Sequence, residues 1–367
     1  MLKNILSNKY VKFSKSPFFG ILLSFLLLNT CSQIRLQPTD AERSILEQAM
    51  TQLGPDYSNP RLVQGELILT ISNTELFEED SSAVLPSLQI WIADISDYST
   101  QKLIGDKWID PSPTKVFSDA EYGNQILYWD LSSKLMTGYS KSIARTFQYV
   151  TYDYRPIVDP VAEIENWSSI PNDILEKYTR PEQFLEQDTV LVNIVHTLIK
   201  NIENPVHQAK AIYTWVQDSM TYVYPPRERG VRCAIETLEG DCGQYSALFM
   251  TMARIAGIPA RQQSGFNFYP GNTGAHVWSE IYLPIKGWVP VDATRDDGFL
   301  HLDNRRLITS MGLNIPLQHA PEWATFANSE VEDGKTDFMQ MFTLVSRGVK
   351  ADYQSERKIL RSVELNW

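Results

Sequence analysis

The chain has 367 residues, of which 43% are hydrophobic, and this length is enough for about two globular domains. Its formal net charge of −11 repels nucleic-acid phosphates and anionic lipid headgroups, so we expect no nucleic-acid partner. Three cysteines are too few for a disulfide scaffold, and their spacing does not match the ligand pairs of a structural zinc site.

The N-terminal segment has the pattern of an export signal. Four lysines precede the apolar run FFGILLSFLLLNT (18–30), which is shorter than the roughly 20 apolar residues that a membrane span needs. Cys31 follows this run, and its surroundings resemble the lipobox of bacterial lipoproteins, in which the cysteine becomes the lipidated first residue. We therefore expect a signal over 1–31 and an exported cell-envelope lipoprotein that contacts the membrane only through its lipid anchor. An ordinary cleaved signal and a retained anchor helix are the alternatives.

Residues 32–60 are predicted to be a tether and lead-in, with one short helical pattern around 41–53. From 61 to about 160, apolar and polar residues alternate in short runs such as GELILTIS (65–72), and clusters of Ser, Asp, Gly and Pro separate these runs. Alternation with period two is typical of half-buried strands. The pattern predicts an immunoglobulin-like (Ig-like) β-sandwich over 61–160, with a structural or substrate-presenting role.

Helical periodicity begins after this region, and the third helical run carries a cysteine at its start. Apolar residues recur at i, i+3 and i+4 spacing from Tyr245 onward, and Gly257 ends the run. Cys242 lies at the N-terminal end, where unpaired backbone amides and the helix dipole favour a negatively charged thiolate. The neighbouring Gly240 and Gly243 leave room for an acyl group, and the same amides can hold an oxyanion.

A thiolate nucleophile needs a base, and the base needs a partner that orients it. His276 lies in the alternating run AHVWSEIYL (275–283), and the run GWVPVDAT, which contains Asp292, follows after a turn. If a five-residue loop, 282–286, joins the two strands, His276 faces Asp292 with Cβ atoms about 4.5–5.5 Å apart. The spacing predicts an imidazole–carboxylate pair, provided that the register is not shifted by one residue. Glu280 on the same strand face is a weaker competitor for His276.

Three blocks, GDCGQYSALFMTMARIAGIPARQQSGF, AHVWSEIYL and GWVPVDAT, together resemble the transglutaminase-like (transglutaminase/protease) superfamily. The resemblance covers about 186–300 and implies an α+β fold with a papain-like core, in which helices pack on an antiparallel sheet. We place this catalytic domain at 161–310. By position, Cys242 matches the nucleophile, His276 the general base and acid, and Asp292 the residue that orients the imidazole.

This resemblance implies acyl transfer on a protein or peptide substrate through a thioester intermediate. Of the possible reactions we favour hydrolysis of a peptide or carboxamide bond, with protein cross-linking as the alternative. The calcium-site residues of animal transglutaminases are not recognisable, so we expect neither a metal nor another cofactor.

Several alternatives stay open at this stage. A catalytically silent, anchored binding module is the competing function, and a disulfide between Cys233 and Cys242 would exclude catalysis. Tyr222 and Tyr224 are candidates for an oxyanion donor, although core packing explains them equally well. Residues 311–367 are predicted as a C-terminal extension that contains a possible strand pair.

Overall fold

The computed structural model of the protein describes residues 36–77, 85–324 and 334–365. The predicted signal segment and the lipidation candidate Cys31 therefore lie outside the described residues. In the part of the chain that the structure describes, no helix is both long and apolar enough to cross a membrane.

The α-helices lie mainly in the middle third of the chain. In chain order they are α1 (Asp40–Thr51), α2 (Pro160–Glu165), α3 (Asn172–Thr179), α4 (Thr189–Ile199), α5 (Pro205–Ser219), α6 (Val231–Thr237) and α7 (Cys242–Ile255). Five of these seven helices begin at a residue whose side chain caps them. Asp188 accepts a hydrogen bond from the Leu191 amide at the start of α4, and Asn204 caps α5 with Pro205 in its first turn, as the sequence predicts.

Along the sequence, most β-strands come before or after the run of helices from α2 to α7. In chain order they are β1 (Tyr57–Leu76), β2 (Ser87–Ala93), β3 (Gln101–Leu103), β4 (Trp108–Asp110), β5 (Lys115–Ser118), β6 (Gln125–Asp130), β7 (Lys141–Tyr154), β8 (Thr221–Tyr222), β9 (Glu239–Gly240), β10 (Ala260–Asn267), β11 (Ala275–Leu283), β12 (Gly287–Val291), β13 (Arg306–Met311), β14 (Ile315–Pro316), β15 (Lys335–Thr336), β16 (Thr343–Arg347) and β17 (Val349–Glu364).

Two sheets share one buried apolar cluster and so pack face to face. The first has the order β17-β1-β7-β3, with β4 also on β7, and the second has the order β16-β2-β6-β5. Leu69 and Ile71 of β1 meet Ile90 and Ile92 of β2 in the cluster, together with Trp129 of β6. The residues come from alternate positions because successive side chains of a strand point to opposite faces.

The C-terminal segment completes both of these sheets. β17 pairs with β1 from Arg61↔Glu364 to Leu76↔Val349, and β16 pairs with β2. The predicted division into a β-domain over 61–160 and an extension over 311–367 differs from this pairing. The physical reason is that β1 is 20 residues long, and without β17 it would expose a long row of unpaired backbone groups at the sheet edge.

The lead-in segment is also packed against the strands. α1 buries Leu46 and Met50 against Leu62 of β1, Val150 of β7 and Val363 of β17. The described part of the predicted tether is therefore integrated into the fold, because α1 has an apolar face that needs a partner.

The candidate catalytic core is a second packed unit. Its antiparallel sheet has the order β12-β11-β10-β13, and α4, α5 and α7 share a buried cluster with it. Phe249 of α7 and Ile281 of β11 are fully buried in that cluster. The mixed helix and sheet core confirms the predicted α+β class.

The core sheet and the β1-containing sheet share a further apolar cluster. Phe147 of β7 packs with Phe266 and Phe268 there, and a Cβ added to Gly65 would come within 2.6 Å of a Phe268 ring carbon. This close approach places β10 and β13 firmly against β1 and β7. The position of β13 matters for the site described next.

Candidate active site

Cys242 is the first residue of α7, and its surroundings explain why the chain turns there. The carboxylate of Asp241 accepts a hydrogen bond from the Gly243 amide at 2.8 Å and forms an ion pair with Arg229 at 2.8 Å. Asp241 therefore caps the helix, and Arg229 balances its charge. A Cβ at Gly240 would lie 2.4 Å from Gln244, so the turn into α7 requires glycine.

The thiol is free and partly accessible. Cys242 and Cys233 are both free cysteines, Cys233 being buried and Cys242 half-buried. The alternative disulfide between them is therefore not formed in the structure.

His276 and Asp292 lie next to this thiol. The Nε2 atom of His276 is 2.7 Å from Oδ2 of Asp292, and both side chains are buried. The Cys242 side chain lies beside the His276 ring and contributes to raising its pKa. Nδ1 is the ring nitrogen that the contact with Asp292 does not use. The three residues that the sequence singles out thus converge in space.

The contact between the two buried groups favours the charged forms of both side chains. Burial lowers the pKa of His276, but the charge and hydrogen bond of Asp292 and the contact with Cys242 outweigh it and raise the pKa from 6.5 to about 9. Burial raises the pKa of Asp292, yet His276, Arg306 and Thr294 hold it well below the ordinary range. At neutral pH the pair is therefore an imidazolium and a carboxylate.

The strand register that brings the pair together differs from the predicted one. Leu283 pairs with Gly287 and Ile281 with Val289, so the loop has three residues, 284–286, where five were predicted. Gly287 has φ +70°, which suits the left-handed position of a short hairpin loop. The shift is two residues, which keeps every side chain on its predicted face. Asp292 reaches His276 along the diagonal of the pair, a separation that long side chains span.

Trp278 and Glu280, on the same strand as His276, have defined contacts around the pair. Trp278 is fully buried and stacks on His276 with ring centroids 5.8 Å apart. Glu280 pairs with Arg261 at 2.7 Å, and the Arg261 guanidinium lies 4.0 Å from the Trp288 ring centre. Glu280 is thus engaged elsewhere, which leaves Asp292 as the carboxylate of His276.

Tyr222 is held beside the nucleophile by a short parallel pairing. β8 pairs with β9, and the Val223 amide donates to the Gly240 carbonyl at 2.9 Å. The Tyr222 side chain lies beside Cys242, and partial desolvation followed by the charges of Cys242 and Asp241 raises its pKa to about 12. The hydroxyl therefore keeps its proton at neutral pH and can donate it. Tyr222 is itself 55% exposed, and Tyr224, which the sequence does not distinguish from it, is 75% exposed.

Three further residues contact the pair, and only one of them, Thr294, lies in a motif block. Thr294 donates from its amide and hydroxyl to Oδ1 of Asp292, and Arg306 of β13 lies 3.2 Å from Oδ2. Gln340 donates to the backbone carbonyl of His276 at 2.9 Å. Arg306 and Gln340 come from segments after the motif blocks, so only the tertiary fold identifies them.

A cleft of about 850 Å³ runs beside the site. Ala275, which precedes His276, borders it together with Arg229, Gln340, Phe266 and Arg357. Within the described residues, no group of three or more His, Cys, Asp or Glu side chains is arranged to hold a metal ion.

Comparison with known proteins supports the same core. Residues 192–293 match the family model of the transglutaminase-like superfamily. The uncharacterized protein YebA of Bacillus subtilis (strain 168) is 25% identical over 146 residues, which are 33% of this chain and 20% of that protein. A peptide-N(4)-(N-acetyl-beta-glucosaminyl)asparagine amidase of Eremothecium gossypii is 39% identical over 69 residues, 18% of either chain. The matches thus span less than half of these relatives.

The fold has a neighbour among solved structures. The crystal structure of "a Putative Cysteine Protease from Cytophaga hutchinsonii" superposes with a TM-score of 0.56 at 17% identity, covering 83% of this chain and 93% of that one. At this identity the likeness concerns the fold alone. The match at residues 192–293 confirms the predicted resemblance, and this segment of the chain carries a transglutaminase-like core.

Proposed function

We propose that the protein is an exported cysteine-dependent enzyme that hydrolyses peptide or carboxamide bonds through a thioester on Cys242. The observation that carries this proposal is the contact chain from the Cys242 thiol through His276 to Asp292. A thiol, an imidazole and a carboxylate in this order are the groups that nucleophilic acyl transfer requires.

In the first step the Cys242 sulfur attacks the carbonyl carbon and a tetrahedral intermediate forms. The backbone amide of Cys242 and the Tyr222 hydroxyl are the proposed donors to its oxyanion, since both lie at the sulfur. The carbon–nitrogen bond then breaks, and His276 gives its proton to the departing amine. Asp292 holds the ring in place and stabilises its positive charge throughout.

In the second step water attacks the thioester carbonyl while His276 takes a proton from that water. The carbon–sulfur bond breaks, the product acid leaves, and Cys242 is regenerated. If an amine attacks in place of water, the product is a new amide, which is the cross-linking alternative. The similarity to a protein named as an amidase favours hydrolysis as the first candidate.

The export part of the proposal rests on the N-terminal lysines and the apolar run before Cys31. Metabolic labelling with a radioactive fatty acid tests it, with Cys31→Ala as the control. Label on the wild type that is lost in the variant supports a lipid anchor, and an unlabelled wild type contradicts it.

The catalytic proposal is tested with peptides that offer amide, glutamine and isopeptide bonds, in water enriched in oxygen-18. Hydrolysis places the heavy oxygen in the product carboxylate, and mass spectrometry detects it. Added primary amine diverts the product to an amide if transfer is the natural reaction. Cys242→Ala is expected to abolish product, while Cys233→Ala, which changes the other, buried cysteine, retains it. Equal product from both variants would refute the proposed function.

A further inference from the structure

Arg306 is a buried guanidinium that contacts the candidate triad from behind. It opens β13, is 5% exposed, and lies outside the segment that matches the family model, 192–293. Its Nη2 atom is 3.2 Å from Oδ2 of Asp292, the same oxygen that contacts His276. The site thus holds two cationic groups on one carboxylate oxygen.

The remaining contacts of Arg306 fix its orientation. Nη1 donates to the side-chain oxygen of Asn267, which is its cross-strand partner on β10. The guanidinium carbon lies 5.8 Å from the centre of the Trp278 ring, and Trp278 in turn stacks on His276. A planar guanidinium whose two Nη atoms are both engaged can fix the orientation of a carboxylate. A flexible lysine ammonium does this less well.

We propose that Arg306 is a positioning residue, which fixes the Asp292 carboxylate and limits how tightly His276 holds its proton. The kinetic consequences of this inference rest on the proposed function. Thr294 occupies Oδ1 of Asp292, while His276 and Arg306 share Oδ2. Each carboxylate oxygen therefore has a defined task.

The effect on the proton follows from the charges that surround the ring. The ionisable groups facing His276 are Asp292, which directly follows β12, Arg306 from β13 and the Cys242 thiol from α7, with Tyr222 of β8 beside that thiol. The positive charge of Arg306 opposes the charge on His276 and lowers its pKa, whereas Asp292 raises it. Without Arg306 the imidazolium would be a weaker acid, and proton transfer to the departing amine would be slower.

The test compares wild type with Arg306→Gln and Arg306→Lys. Arg306→Gln removes the charge, so the alkaline limb of kcat/KM and the NMR titration of His276 are both expected to move up by roughly one pH unit. Arg306→Lys keeps the charge but not the planar guanidinium. We therefore expect the NMR titration of His276 to stay in place while kcat falls about tenfold with KM unchanged. Arg305→Gln, at an exposed neighbouring position, is the matched control and should match wild type.

The outcomes separate this inference from the proposed function. A titration of His276 that stays in place in Arg306→Gln would overturn the inference, whatever the activity. The NMR measurement needs no turnover, so it decides the question even if the protein catalyses nothing. If Arg306→Gln does not fold, Arg306→Lys decides: a wild-type kcat in that variant would overturn the inference, and a reduced kcat with an unmoved titration would support it.

Discussion

Raising the pH is expected to destabilise the fold through His276. The pKa of this ring in the folded protein is about 9, above its ordinary 6.5, because Asp292 and Cys242 outweigh burial. A raised folded pKa contributes stability that is fully present below about pH 6.5 and is lost as the pH rises through about 9. The gap corresponds to roughly 3 kcal/mol of unfolding free energy.

Denaturant unfolding of wild type and His276→Gln between about pH 6 and about pH 10 measures this contribution. The variant should be less stable than wild type at the acidic end, and the difference should shrink by roughly 3 kcal/mol toward the alkaline end. His207→Gln, which changes an exposed helical histidine, is the control. An equal difference at all pH values would refute the reasoning, since His276 would then carry no extra proton in the folded state.

Three further variants probe single contacts of the site. Asp292→Asn should lower kcat/KM by about 10³- to 10⁴-fold at neutral pH. The reason is that burial disfavours the His276 imidazolium, and the carboxylate charge that offsets this burial is then gone. Tyr222→Phe should lower kcat by about 10²- to 10³-fold with little change in KM, as expected for a lost oxyanion donor. Gly265→Ala should destabilise the fold by about 3 kcal/mol or more in denaturant unfolding, because its Cβ would meet the Leu307 carbonyl oxygen at 1.9 Å.

Each of these expectations has its own contrary result. Wild-type turnover in Asp292→Asn would mean that the ring needs no carboxylate, and an unchanged kcat in Tyr222→Phe would remove that hydroxyl from the reaction. Gly54→Ala is the control for Gly265→Ala, since a Cβ at Gly54 meets nothing within 4 Å. Equal stability of the two glycine variants would contradict the steric argument.

The sequence predicts the nearness of His276 and Asp292 for a sound physical reason but with the wrong loop. Side chains alternate along a strand with period two, so a register shifted by two residues keeps both residues on one face. The loop length depends on whether Gly287 adopts a positive φ, which the residue types do not decide. The two side chains still meet, along the diagonal of the strand pair, although the register is shifted by two residues. A shift of one residue would have placed them on opposite faces of the sheet.

What the sequence does not reveal are contacts between segments far apart in the chain. β17 ends the described chain yet pairs with β1, and Arg306 contacts Asp292 from another strand. A single arginine at the start of a strand has the same local pattern whether it meets solvent or a buried carboxylate. Tyr222 is distinguished from Tyr224 only by the pairing of β8 with β9.

The central claim is that Cys242 is a nucleophile activated by His276, and the rate of its alkylation tests this most directly. Iodoacetamide should modify Cys242 of wild type at about pH 6 faster than it modifies a small-molecule thiol, because the neighbouring imidazolium favours the reactive thiolate. In His276→Gln this advantage should disappear, with mass spectrometry of the labelled peptide as the readout. A Cys242 that reacts no faster than a free thiol, and equally in both proteins, would contradict the account.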